Sequence, residues 1–186
     1  MDYKKEGPNR RDVEEKLKTV GDYVKMDYLQ QCLRQTLDFD TRRFVLLTLS
    51  GIYEKRGMFL EAGKLLRHAS DINPTEMGKK QELVKSAELF VKGNNFDEAD
   101  TSFKKALIIA GVSEKRNLDL SRKNMYKKYA DECLTRDKRR QAVEAYERLL
   151  SIDLDAGEKE DIKKKLIGLY EKLGKIREFY NLKRGM

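Results

Sequence analysis

The side chains that most often carry chemistry are scarce in this sequence and are not arranged for it. His68 is the single histidine of the chain, so a metal site built from several histidines is excluded. General acid–base work by His68 would need a carboxylate or nucleophile partner that the sequence does not advertise. We therefore interpret His68 as a solvated helix residue, and the sequence predicts no catalytic residue and no metal site.

The two cysteines, Cys32 and Cys133, lie far apart within helical patterns. Their spacing is neither that of a disulfide framework nor that of a metal site, and both fall among apolar residues, so we predict two buried free thiols. The chain also lacks the glycine-rich phosphate-binding motif, the dinucleotide motif and the nucleophile motif of the hydrolases. These observations predict a protein that is not an enzyme and that uses no cofactor.

The composition favours helices that keep one face in water. Hydrophobic and charged residues each make up 39% of the chain, whereas proline and tryptophan are scarce or absent. The longest apolar stretches are far shorter than the roughly 20 residues that a membrane crossing needs. The first residues have no apolar segment of the kind found in secretory signals. We predict an all-α protein of the cytoplasm with no membrane partner.

One helical unit recurs along the chain. In its clearest copy, Leu46, Leu49 and Tyr53 form an apolar stripe with the i, i+3, i+7 spacing of one helix face. Gly57 follows in a turn, since glycine best tolerates the left-handed conformation that ends a helix. The stripe of the second helix consists of Phe59, Ala62, Leu66 and Ala69. Each copy is therefore predicted to be a hairpin of two helices.

The same pattern starts again at Leu83, at Tyr126 and, in a partial copy, at Leu166. The segment 113–134 is compatible with one long helix or with a short helix followed by a break. We predict one repeat domain over 9–182 between flexible tails at 1–8 and 183–186. Its parts are a degenerate hairpin over 9–39, repeats at about 43–76, 80–113 and 123–156, and a partial repeat or cap over 160–182.

These units resemble the tetratricopeptide repeat (TPR), a helix-turn-helix unit of about 34 residues with the signature W-x2-L-G-x2-Y…A-x3-F…P. The match covers roughly residues 40 to 180, and the copies are divergent: Leu46, Leu83 or Tyr126 stands where the family has its leading tryptophan. The resemblance implies a right-handed superhelix, or solenoid, of stacked antiparallel hairpins with about ten helices. It also implies that a partner segment binds on the concave face.

In the family, the first helix of each unit lines the concave face, and its unpacked residues contact the bound peptide. Carried onto this chain, the resemblance implies a partner-binding groove of Leu47, Thr48, Lys55, Val84, Lys85, Glu88, Lys92, Asn124, Lys127, Lys128, Asp131, Lys164 and Lys165. Lysines dominate the later half of this set, which favours an acidic partner segment. The same lysines are equally compatible with a helical surface that is merely kept soluble.

Some family members hold the C-terminal carboxylate of a chaperone tail with a clamp of lysine, asparagine and arginine side chains on three successive first helices. The corresponding positions here are Leu47, Gly51, Lys85, Asn124 and Lys128. Only Lys128 is an acceptable substitute for the residue that the clamp needs. Chaperone-tail binding of that type is therefore not expected.

The function that we predict is a non-catalytic scaffold or adaptor for protein–protein interaction. The alternative is an RNA- or ribosome-associated protein, because the net charge is +8 and basic runs lie at 10–11, 138–140 and 163–165. Self-association through the ends of the array is a third interpretation. Recurrent aromatic residues are interpreted as inter-helix packing and not as a base-stacking platform; these are Tyr53, Phe90, Phe103, Tyr126, Tyr129, Tyr146 and Tyr170.

Overall fold

The computed structural model describes residues 6–185, which form ten α-helices and no strand beyond one isolated parallel bridge between Glu6 and Thr36. The all-α prediction is confirmed. No helix within this part of the chain is long and apolar enough to cross a bilayer. The helices are α1 (Arg10–Lys18), α2 (Asp22–Leu33), α3 (Phe39–Lys55), α4 (Phe59–Asp71), α5 (Glu76–Lys92), α6 (Phe96–Ile109), α7 (Val112–Thr135), α8 (Arg139–Leu150), α9 (Ala156–Leu173) and α10 (Ile176–Arg184).

The chain divides into two compact units after Gly111. In the first unit, the helices from α2 to α6 each pack against the next in sequence, and α1 packs on α3. In the second unit, α7 packs on α8, α8 on α9, and α9 on α10. Most helices thus bury apolar residues against their sequence neighbours, because one short hairpin cannot bury its apolar side alone.

Local side-chain signals define the helix ends. Asn9, Asp38 and Thr75 each accept a hydrogen bond from the backbone N–H three residues later, which satisfies a donor that the first turn leaves unpaired. Asp155 does the same at α9, where the Glu158 side chain completes a capping box. The sequence predicted a left-handed turn at Gly57, and its φ of 74° confirms it.

Small and aromatic residues at the repeat positions form the core. Ala62, Ala99 and Ala142 are each 0% exposed, so neighbouring helices approach closely at these points. The rings of Phe103 and Tyr146 are equally buried and fill the space between helices. Of the aromatic residues predicted to pack, Tyr129 is half-buried and the other six are buried. The packing interpretation of these side chains is therefore confirmed.

Two further expectations about single residues are confirmed, and one open alternative is decided. Cys32 and Cys133 are buried free thiols, and burial raises the pKa of both. His68 is exposed on α4. Of the two alternatives for the segment 113–134, the structure has the single long helix, α7.

Candidate binding cleft

The second unit contains a cleft of about 350 Å³ between α7, α8 and α9. Its volume lies near the lower end of the range for ligand sites, which fits a few side chains of a peptide. Apolar side chains form its floor and charged side chains of α7 and α9 border it. The lining residues are Lys123, Asn124, Lys127, Tyr146, Leu149, Leu154, Glu158, Asp161, Ile162 and Lys165.

Helical periodicity explains why these side chains converge. On α7, Lys123, Lys127 and Asp131 follow each other at intervals of four residues and therefore share one face. On α9, Glu158 and Lys165 are two turns apart, and they share a face in the same way. The adjoining faces are apolar and buried in the core, through Tyr126, Ala130 and Cys133 of α7 and Ile162, Leu166 and Leu169 of α9.

Two ion pairs connect α7 to α9 across the cleft. Lys123 Nζ lies 2.6 Å from Glu158 Oε2, and Lys165 Nζ lies 2.8 Å from Asp131 Oδ1. The lower-numbered residue of α7 pairs with the lower-numbered residue of α9, so the two helices run parallel. We call Lys123–Glu158 and Asp131–Lys165 the outer ion pairs, because Lys127 lies between them on α7.

Tyr146 of α8 joins the second outer ion pair to the floor of the cleft. Its hydroxyl donates a hydrogen bond to Asp131 and accepts one from Lys165 Nζ at 3.2 Å, and that Nζ lies 5.2 Å from the centre of the Tyr146 ring. Burial and the hydrogen bond to Asp131 raise the pKa of Tyr146 to about 12. The hydroxyl is therefore neutral and keeps its proton for Asp131 at neutral pH.

The two charged members of this cluster stay ionised. Burial alone would raise the pKa of Asp131, but hydrogen bonds from Lys165 and Tyr146 outweigh it and lower that pKa. Burial alone would lower the pKa of Lys165, but its hydrogen bonds to Asp131 and Tyr146 outweigh that effect and raise the pKa. The ion pair consequently persists over the whole physiological pH range.

Lys127 and Asp161 differ from the outer ion pairs. Both line the cleft and both are exposed, Lys127 on α7 and Asp161 on α9. Among residues 6–185, neither side chain makes a hydrogen bond or an ion pair; the charges acting on them are those of Asp131 and Lys164 respectively. The middle of the cleft therefore has one positive and one negative side chain that form no direct ion pair or hydrogen bond in the described part of the chain.

The structure places the groove residues predicted in the second unit in three different surroundings. Asn124, Lys127 and Lys165 line the cleft, and Asp131 borders it through its bonds to Lys165 and Tyr146. Lys128 is exposed on α7 but is not among the lining residues. Lys164 also lies outside the lining and pairs with Glu160 at 2.7 Å.

Three of the predicted groove residues in the first unit form a closed ion cluster with Glu54. Lys85 lies 2.9 Å from Glu54 and 3.4 Å from Glu88, while Lys92 lies 2.7 Å from Glu88 and 3.5 Å from Glu54. Two lysines and two glutamates cancel, so this cluster offers no net charge to a partner.

The other groove residues predicted in the first unit stand outside that cluster. Leu47 is half-buried and packs against the core. Thr48 and Val84 are also half-buried, and Lys55 is exposed at the end of α3.

Several lining residues were not predicted from the sequence. Lys123 stands one turn before Lys127, and Asp161 stands one turn before Lys165, so the four-residue spacing of helix faces would have found both. Glu158 stands two turns before Lys165 and would have been found in the same way. The remaining lining residues have no such signal, because their apolar or aromatic side chains are equally typical of the core; these are Tyr146, Leu149, Leu154 and Ile162.

Within the described residues, no group of three or more His, Cys, Asp or Glu side chains is placed to hold a metal ion.

No protein-family model matches the chain, and no curated protein sequence matches it. Among solved structures the chain is similar to the crystal structure of BtubC (BKLC) from P. vanneervenii, with a TM-score of 0.38 and 16% identity over 91% of this chain and 73% of that chain. A likeness at this level leads to no conclusion about fold or function.

Proposed function

We propose that the chain is a non-catalytic protein-interaction scaffold whose second unit holds a segment of a partner protein in the cleft between α7, α8 and α9. The observation that carries the proposal is the make-up of this cleft. Its floor includes the apolar side chains Leu149 and Ile162, and its two borders are rows of charged residues on facing helices. An extended segment gains contact area from such a floor and orientation from such borders.

We also propose that the hairpins belong to a TPR-like right-handed superhelix. In both units the helices pack on their sequence neighbours, and alanines occupy the points of close approach. In an array of this kind, the first helices of successive hairpins share the concave face. The cleft would lie on that face, since α7 and α9 are both first helices of their hairpins.

Charge supports an acidic partner segment for the second unit. Residues 112–186 contain 20 lysines and arginines against 14 aspartates and glutamates, whereas residues 1–111 contain 20 against 18. The excess of +6 attracts acidic chains at distances up to a Debye length, about 8 Å at physiological salt. We expect a micromolar dissociation constant, equivalent to roughly −8 kcal/mol, and an affinity that falls as salt is added.

Nucleic-acid binding gains no support from the basic runs. Most of their cationic side chains already pair with carboxylates on the same surface, which lowers the charge that remains for phosphates. The pairs are Arg10 with Glu14 and Asp40, Arg11 with Glu15, Arg139 with Asp137, Lys164 with Glu160, and Lys165 with Asp131. We therefore favour protein over RNA as the partner and keep RNA as an outcome of the test.

Site-specific photo-crosslinking tests the proposal directly. A photoreactive amino acid is placed at Asn124, an exposed residue of the cleft lining, and in a matched control at Lys159, an exposed residue of α9 outside the lining. After irradiation in the native cell, we expect a discrete protein adduct from position 124 that resists nuclease and is absent from position 159. Equal adducts at both positions, none at either, or adducts that nuclease removes would refute it.

A further inference from the structure

We infer that, within a partner segment of net negative charge, the cleft itself recognises a short mixed-charge stretch, in which an aliphatic side chain is flanked by one acidic and one basic residue. The acidic residue pairs with Lys127 and the basic residue pairs with Asp161, while the aliphatic side chain occupies the floor beside Leu149, Leu154 and Ile162. This inference rests on the proposed function and adds the chemistry of the ligand.

The charged residues that line the cleft indicate such a segment. Five ionisable residues other than tyrosine line it: Lys123, Lys127, Glu158, Asp161 and Lys165. Three of them are already committed to the outer ion pairs, at 2.6 Å and 2.8 Å. The two that remain, Lys127 and Asp161, have opposite signs and stand on facing helices, so a purely acidic segment would satisfy one and repel the other.

The outer ion pairs are poor targets for a ligand. A carboxylate that captured Lys123 would leave Glu158 unpaired, and one that captured Lys165 would leave Asp131 and the Tyr146 hydroxyl without their cation. Because a ligand that captured either lysine would only exchange one ion pair for another, its net gain there would be small. A ligand therefore gains most at Lys127 and Asp161, where it displaces only water.

The spacing of the outer ion pairs sets the length of the recognised segment. Lys123 and Asp131 are eight residues apart on α7, which corresponds to about 12 Å along the helix axis. An extended chain rises about 3.3 Å per residue, so three to four residues fit between the pairs. That length accommodates one aliphatic residue with a charged neighbour on each side.

The first unit provides an internal comparison. All four charges of the Glu54, Lys85, Glu88 and Lys92 cluster are paired with one another, at 2.7 to 3.5 Å. No unmatched pair of opposite charges remains in that cluster. Recognition of a mixed-charge segment therefore belongs to the cleft of the second unit and not to this cluster.

Selection from a phage-displayed library of random seven-residue peptides, with the full chain as bait, tests the inference. The wild-type chain should enrich an acidic, an aliphatic and a basic residue within three to four positions. Lys127→Glu should replace the acidic preference with a basic one, and Asp161→Lys should replace the basic preference with an acidic one. Lys159→Glu, at an exposed position on the opposite side of α9 from Asp161, is the matched control and should leave the selected sequences unchanged.

A synthetic peptide carrying the wild-type consensus gives the magnitude. Each single charge reversal in the cleft should weaken its binding about tenfold, because an exposed ion pair becomes a like-charge pair. The double variant Lys127→Glu with Asp161→Lys should bind the charge-swapped peptide as the wild type binds the original. Circular dichroism verifies that each variant keeps its helices.

The outcomes separate this inference from the proposed function. If the wild-type chain enriches no sequence at all, the proposed function fails and the inference fails with it. If it enriches sequences that are only acidic, or sequences that do not respond to reversal at positions 127 and 161, the inference alone is overturned and peptide binding by the cleft stands.

Discussion

Replacing Gly63 by alanine tests the packing of the first unit at its tightest point. Gly63 is buried on α4, and a Cβ atom there would lie 2.8 to 3.0 Å from three ring carbons of Phe90 on α5. Carbon atoms in good contact stay about 3.5 to 4.0 Å apart, so the ring would have to move. Phe90 is fully buried and Arg67 lies 5.2 Å from its ring centre, so movement disturbs further contacts.

Gly51 is the matched control. It lies within α3 of the same unit, and a Cβ atom at this position would meet no atom within 4 Å. Alanine in place of glycine inside a helix stabilises by about 0.5 to 1 kcal/mol in either position. At position 63, overpacking of about 1 to 3 kcal/mol opposes that gain. Since the helix term is common to both variants, Gly63→Ala should be less stable than Gly51→Ala by about 1 to 3 kcal/mol.

Urea unfolding followed by far-ultraviolet circular dichroism measures both variants against the wild-type chain. We expect the urea midpoint of Gly51→Ala to lie above that of the wild-type chain. The midpoint of Gly63→Ala should lie below that of Gly51→Ala. In a Phe90→Leu background, which removes the ring, Gly63→Ala should no longer be destabilising. Equal stability of the two alanine variants in the Phe90 background would refute the close approach of α4 and α5.

Three further outcomes are expected. The pKa of Asp131 in the native chain lies below its ordinary value, so the contribution of Asp131 to stability is complete above that ordinary value and is lost as the pH falls through the native pKa. Urea unfolding should therefore show that the difference in unfolding free energy between the wild type and Asp131→Asn shrinks as the pH falls, and a constant difference would contradict this. Burial raises the pKa of both thiols, so a disulfide reagent should label Cys32 and Cys133 slowly in the native chain and fast in urea, whereas equal rates would contradict it. The sequence left self-association through the ends of the array as a third interpretation, and Ile176 and Tyr180 are 67% and 56% exposed on α10. Light scattering should then detect self-association that Ile176→Ser with Tyr180→Ser abolishes, whereas a wild-type monomer at all concentrations would contradict this interpretation.

The helices and their buried faces could be predicted from the sequence because both depend on near neighbours in the chain. The spacing of Leu46, Leu49 and Tyr53 predicted a helix with one apolar face, and these three residues are buried in α3. The resemblance to the TPR implied that Lys127 and Lys165 lie on one surface, and both line the cleft between α7, α8 and α9. The segment 113–134 stayed open between two alternatives, because no local signal there favours a break over a continuous helix.

Tertiary packing decided which charges are available to a partner. Lysines 85, 92, 127 and 165 look alike in the sequence, yet only Lys127 is left without a hydrogen bond or ion pair within the described residues. The difference arises from carboxylates on other helices, such as Asp131 on α7 facing Lys165 on α9. Coulomb attraction acts over a few ångströms of space and not along the chain, so the sequence determined the helices and their faces, and only the folding of helix against helix determined which charges are matched.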